Sequence, residues 1–191
     1  MIAHYDKNPN SVAWMDNHYS RAKFSPENER LNAWMFPLLE KYIPKEGTVL
    51  EVGCGCGRTL DWIYQKNPNL KLIGTDVSNV AIQKGAEYYK HIEFICEDAE
   101  FAEHKDIDLV ICSQTLEHVD RPSEVMINMQ SWLKDKGVLF ITIPYPRSVL
   151  DMGCKVHYWS IYEHDFISIF GKNVICSKID KNHLAAIWEK K

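Results

Sequence analysis

From residue 48 onward, short apolar runs rich in Val, Ile and Leu alternate with stretches whose apolar residues recur at helical spacing. "TVLEVG", "LKLIGTDV", "IEFICED", "IDLVICSQ" and "GVLFITIP" read as strands, and "GRTLDWIYQK", "SNVAIQKGAEYYK" and "RPSEVMINMQSWLK" read as helices between them. Parallel neighbours need long crossovers, and the crossover helices must cover the sheet faces. The expected fold is therefore α/β: a doubly wound, mostly parallel sheet with helices on both faces. Ser78 and Asp120 are expected to cap the second and third of these helices.

The two ends depart from this pattern. Residues 1 to about 24 are polar and aromatic without a sustained period. A helix is expected after Ser25, with Pro26 at its first position and Leu31, Trp34, Met35, Leu38, Leu39 and Tyr42 on one face, kinked at Pro37. Residues 1–46 thus read as a helical cap or lid, and residues 47–191 as the main domain, the whole forming one structural unit. After the fifth strand, "SIYEHDFISIFG" is expected to be a helix opened by a Ser160-x-x-Glu163 capping box and stopped by Gly171. "VICSKI" and "LAAIW", joined by a short polar loop, read as a terminal hairpin.

Composition excludes several classes of protein. Hydrophobic residues make up 46% of the 191 positions, enough to build a core, and the net charge of -4 gives no reason to expect nucleic acid or an anionic membrane as a partner. No run of about 18 apolar residues occurs, and the first residues lack an apolar signal core. The six cysteines form no Cys-x-x-Cys pair and sit largely within apolar runs, which fits buried thiols in a reducing, cytoplasmic setting.

"EVGCGCGRTL", residues 51–60, poses the functional question. As a metal or redox site it fails, because Cys54-x-Cys56 has no companion pair nearby. As a turn it succeeds: Gly53, Gly55 and Gly57 lie between a strand and a helix, where a ligand can approach bare backbone. Asp76 ends the next strand, the position from which a carboxylate can accept both hydroxyls of a ribose. The dinucleotide fingerprint requires a third glycine where this chain has Arg58, and the Gly-Lys-Ser/Thr of a phosphate-binding loop is absent.

These residues carry a family resemblance. "EVGCGCG" resembles the acidic-x-Gly-x-Gly-x-Gly motif of class I S-adenosylmethionine-dependent methyltransferases. "GTDVS" is similar to the family's second-strand acid, "EDAE" to its segment after the third strand, and "DLVICSQTLEHVDRP" to the fourth-strand segment of small-molecule members, including those of quinone biosynthesis. The likeness spans about residues 47 to 171. It implies a seven-stranded sheet in the order 3-2-1-4-5-7-6, ending in the hairpin read above. It implies S-adenosylmethionine as cofactor, S-adenosylhomocysteine as product, and a small-molecule methyl acceptor.

The same resemblance implies roles for individual residues. Glu51 reaches toward the methionyl ammonium, and Gly53, Cys54, Gly55 and Gly57 form the turn around it. Asp76 holds the ribose and Val77 packs on the adenine, whose edge Asp98 and Ala99 bracket. Ser113 and Gln114 line the transfer pocket. Glu117 and His118, just past the fourth strand, stand where a general base is wanted if the acceptor must lose a proton. Tyr145, His157 and Tyr19 are candidates for substrate contact, with His18 and Trp14 beside Tyr19 as a lid. Two readings from other classes stay open: a nicotinamide-dependent oxidoreductase, disfavoured by Arg58, and a nucleoside-binding partner subunit without catalysis. The Asn/Asp-Pro-Pro-aromatic motif of nucleic-acid amino methyltransferases is absent.

Overall fold

The computed structural model describes residues 1–3, 8–21, 26, 32–145 and 157–191. Seven strands form one sheet: β1 (Thr48–Val52), β2 (Lys71–Asp76), β3 (Glu93–Cys96), β4 (Ile107–Ser113), β5 (Leu133–Pro144), β6 (Ile175–Lys178) and β7 (His183–Glu189). Their spatial order is 3-2-1-4-5-7-6, as the resemblance implied. The first five run parallel, whereas β7 lies antiparallel to both β5 and β6. The described helices are α1 (Val12–Ser20), α2 (Phe36–Leu39), α3 (Arg58–Lys66), α4 (Asn79–Tyr88), α5 (Pro122–Trp132) and α6 (Glu163–Phe170).

Burial explains why the strands read as continuous apolar runs. Successive side chains of a strand point to opposite faces, and here both faces are covered. Leu139, Ile141 and Ile143 of β5 enter a core with Val125, Met126 and Met129 of α5 and Phe166 of α6. Phe140, one residue out of phase, enters the opposite core with Leu39 of α2, Leu60 and Ile63 of α3, and Ile82 of α4.

The N-terminal segment differs from expectation. Residues 12–20 form a nine-residue helix, capped by the Ser11 side chain, which accepts from Trp14 N–H. The helix was illegible because none of its residues is buried, so it carries no apolar stripe to read. The expected helix after Ser25 falls partly outside the described residues. What is described of it is 310 over Ala33–Met35, α over Phe36–Leu39 and 310 again over Glu40–Tyr42. Pro37 sits in the first turn of α2, where its missing N–H costs nothing, and so starts the helix rather than kinking it. Met35, Phe36 and Leu39 are buried against the sheet, so this part of the segment belongs to the core.

Two further caps are corrected. Helix α6 opens at Tyr162, whose N–H donates to the Asp165 carboxylate at 2.8 Å; Ser160 is instead drawn into a two-residue strand opposite Ile2–Ala3. Helix α5 opens at Arg121 without a side-chain cap. In place of Asp120, the Glu100 carboxylate gathers the N–H groups of Asp120 and Arg121, each at 2.9 Å, and Arg121 Nε at 2.7 Å.

Close packing of α4 on β3 yields a test. A Cβ placed on Gly85 would lie 2.6 Å from Phe94 Cζ and 2.9 Å from the Cys56 carbonyl oxygen. Glycine-to-alanine in a helix ordinarily gains about 1 kcal/mol. Here overpacking should outweigh that gain, so Gly85→Ala should lower stability by about 1–2 kcal/mol in urea unfolding. A stabilised variant would show that β3 and α4 lie farther apart.

Candidate functional site

The glycine turn follows β1 directly. Gly53, Gly55 and Gly57 have φ of 68°, 55° and 89°, in the left-handed region that disfavours any residue with a Cβ. Cys54 N–H donates to the Thr75 carbonyl and Gly57 N–H to the Cys54 carbonyl, both at 2.9 Å, and the chain passes into α3. The side chains of Cys54 and Cys56 are buried beneath the turn, with Cys54 Sγ lying over Gly74 of β2.

Asp76 ties this turn to the next one. Gly55 N–H donates to its Oδ2 and Ser78 N–H to its Oδ1, each at 2.9 Å. Burial raises its pKa, the N–H groups of Ser78 and Gly55 oppose the rise, and the charge of Asp16 adds to it. Asp16 comes from α1: its Oδ1 accepts from Ser78 Oγ at 2.7 Å and from Val80 N–H at 3.2 Å. Lys84 of α4 adds a second tie, donating to the Tyr19 carbonyl at 2.6 Å.

A cavity of about 360 Å³ opens beyond the carboxyl ends of β1, β2 and β4. Gly53, Asp76 and Val77 line its base, Glu97, Asp98, Ala99 and Glu100 one side, and Gln114, Thr115, His118 and His157 the other. Trp14, Met15, His18 and Tyr19 of α1 cover it, and Trp14 stacks on His18 with ring centroids 4.9 Å apart. Sequence reasoning missed Thr115, Met15 and the polar pair Asn8 and Asn10, which also reach the wall. Ser11 ahead of an apolar residue was the available signal for α1, and without periodicity it does not stand out.

The other expected site residues lie off the wall. Glu51, Gly55 and Gly57 sit behind it, Glu51 buried at the end of β1. Ser113 Oγ is 2.9 Å from Thr142 Oγ1 and 3.4 Å from Met35 Sδ, so it faces the interior. Tyr145 is held at the hairpin, its N–H donating to the Asn182 carbonyl at 2.6 Å and its ring beneath Lys178 Nζ at 4.0 Å.

At the far end of the cavity Gln114 adopts φ 54°, a conformation uncommon outside glycine and typical of sites where geometry is imposed. Glu117 lies directly beneath His118, 1% exposed, and burial pushes its carboxyl up to about 8. Neither Glu117 oxygen has a hydrogen-bond partner among the described residues, and His118 Nε2 stands 3.9 Å from Oε1. His157 meets His118 edge-on, with ring centroids 5.1 Å apart. Backbone contacts fix this end: Tyr158 N–H donates to the Glu117 carbonyl and Asn8 Nδ2 to the His118 carbonyl, both at 2.7 Å.

The glycine turn, the acid at the end of the adjacent strand and the cavity past the strand ends lie where doubly wound domains take their ligands. A family model described as "Methyltransferase domain" matches residues 27–173, and the chain belongs to that family. Among curated relatives, the ubiquinone biosynthesis O-methyltransferase of Rickettsia bellii (strain OSU 85-389) is 30% identical over 97 residues, 49% of this chain and 40% of that protein. That of Coxiella burnetii (strain Dugway 5J108-111) is 27% identical over 142 residues, 69% of this chain and 57% of that protein. The chain thus spans about half the length of the curated relatives it matches. The PH0226 protein of Pyrococcus horikoshii OT3 shares the fold with a TM-score of 0.74 at 20% identity, covering 92% of this chain and 99% of that one. The plantazolicin methyltransferase BpumL, solved with S-adenosylhomocysteine, does so with a TM-score of 0.70 at 18% identity, over 96% and 91% of the two chains.

Gly53 tests the turn. A Cβ there would lie 2.2 Å from Thr115 Oγ1 in an already left-handed backbone. Gly53→Ala should cost at least about 2 kcal/mol in chemical unfolding, more than the conformational preference alone requires. A variant as stable as the wild type would place the turn elsewhere.

Proposed function

We propose that this chain is an S-adenosylmethionine-dependent methyltransferase acting on a small molecule and releasing S-adenosylhomocysteine. The observation that carries the reading is Asp76, a buried carboxylate that ends β2, faces the cavity and is pinned by the N–H of the glycine turn. Its remaining lone pairs suit the two hydroxyls of a ribose. The adenine then rests on Val77 with its edge toward Asp98 and Ala99, and the methionyl part lies along Gly53 toward Glu51. Family membership supports the same assignment.

This arrangement directs the methyl group toward Gln114 and His118. Transfer is an in-line displacement: the C–S bond breaks with its electron pair staying on sulfur, which loses its positive charge, and the acceptor's lone pair forms the new bond. Such a reaction draws most of its acceleration from orientation, at the limit about 7–11 kcal/mol. The cover of Trp14, His18 and Tyr19 excludes water, and His157 and His118 border the place left for the acceptor. The net charge of -4 favours a small molecule over nucleic acid. We place the site of action in the cytoplasm, whose reducing setting suits a chain with cysteines as free thiols. No helix among the described residues is long and apolar enough to cross a membrane.

Calorimetric titration tests the cofactor. S-adenosylhomocysteine should bind with one-to-one stoichiometry, and Asp76→Ala should weaken it at least about tenfold, since charge-assisted hydrogen bonds contribute about 1.5–3 kcal/mol each. Heat with NAD and none with either sulfur nucleoside overturns the reading. Accepting ribose hydroxyls needs the ionised carboxylate, and burial beside Asp16 holds the Asp76 pKa above the ordinary range. Affinity should therefore be full above that raised pKa and fall as pH drops through it, starting at a higher pH than for an exposed carboxylate. Asp76→Asn should flatten this part of the profile. His118→Ala should lower turnover while leaving cofactor affinity intact.

A further inference from the structure

Glu97, Asp98, Ala99 and Glu100 wall one side of the cavity, and Gln114, Thr115 and His118 wall the other. The first wall follows β3 and the second follows β4, which the order 3-2-1-4 sets three strand spacings apart, about 14 Å. These two strands do not pair, so the sheet by itself does not fix one loop against the other. Side chains make the connection it lacks. Glu100 Oε1 accepts the N–H groups of Asp120 and Arg121, each at 2.9 Å, and Oε2 accepts Arg121 Nε–H at 2.7 Å. In return, Asn128 of α5 donates from Nδ2 to the Ala99 and Glu100 carbonyls, both at 3.1 Å.

This contact differs from a surface ion pair, which ordinarily contributes little. The Glu100 side chain is only 7% exposed, and both of its oxygens are taken by donors of this chain rather than left for a ligand. The Arg121 guanidinium is held on two further sides, by Glu124 Oε2 at 2.6 Å and by the Phe101 ring with its centroid 5.1 Å away. The two backbone N–H groups belong to residues ahead of Pro122, where α5 begins. Glu100 therefore grips the chain as it leaves the Leu116–His118 turn.

We propose that Glu100 is a positioning residue that fixes the span between the two walls, so that a ligand reaching across the cavity meets both at once. The clamp stands on side-chain geometry alone; its role in binding rests on the methyltransferase reading above. In that reading the adenosine part of S-adenosylhomocysteine rests on Asp76, Val77 and the first wall. The homocysteine part extends along Gly53 to the second. Loss of the Glu100 carboxylate leaves the residues of each wall in place and frees only their separation. Adenosine tolerates that change, whereas a ligand touching both walls must first order them, which costs affinity.

Calorimetry with two nucleosides separates positioning from general damage. Glu100→Ala should weaken S-adenosylhomocysteine at least tenfold and adenosine less than threefold. Equal weakening of both, or S-adenosylhomocysteine bound as tightly as by the wild type, overturns the positioning role. Amide hydrogen exchange of the ligand-free protein tests the clamp apart from the cofactor. The Asp120 and Arg121 amides should exchange at least tenfold faster in Glu100→Ala, with those of β4 unchanged; exchange equal to that of the wild type overturns the clamp. If exchange quickens while the wild type binds neither nucleoside, the methyltransferase reading falls and the clamp stands. Should Glu100→Ala fail to fold, Glu100→Asp, charged but one methylene short of its partners, decides by the same measurements.

Discussion

The site depends on one carboxylate that accepts backbone N–H groups from two turns at once. Asp76 joins Gly55, in the loop after β1, to Ser78, at the start of α4. Two strand ends that would otherwise splay apart are thereby held in register, with their N–H groups pointed at a fixed place. The glycines supply the required left-handed dihedrals, and the parallel pairing of β1 with β2 brings Glu51 opposite Gly74 and Val52 opposite Thr75, setting the distance between the two loops. Burial makes this carboxylate unfavourable when charged, and the two donors offset part of that penalty.

From this anchor the cavity divides by chemistry. Around Asp76 it is acidic, with Glu97 and Asp98 on the wall and Asp16 just behind. Around His118 it is imidazole-rich, with Glu117 buried underneath. One continuous space thus presents an acidic end and an imidazole end. On that acidic wall, His104 Nε2 lies 2.6 Å from Glu97 Oε1.

Much of this was legible in the sequence, for physical reasons that also mark the limit. The central strands could be read because both of their faces are buried, which leaves apolar runs of strand length between turns. Gly53, Gly55, Gly57 and Asp76 could be read because their backbone and charge requirements admit few other residues. Helix α1 could not, because none of its residues is fully buried. The approach of His157 to His118 could not, because only the closed fold brings the two segments together. The Ser160 capping box misled: local capping chemistry was sound, but Ser160 gained more from pairing with the N-terminal strand. Tyr145 was placed at the ligand end by its position after β5, yet that strand hands it to the hairpin.

Helix α1 covers the cavity without burying a single one of its residues. Its described attachments to α4 are polar, from Asp16 to Ser78 and Val80 and from Lys84 to the Tyr19 carbonyl. Hydrogen bonds to charged groups such as these contribute about 1.5–3 kcal/mol each. The cover is therefore expected to open at lower cost than either packed core, as a separate unit of motion. Entry and exit of a nucleoside then leave the sheet, the glycine turn and the histidine pair undisturbed.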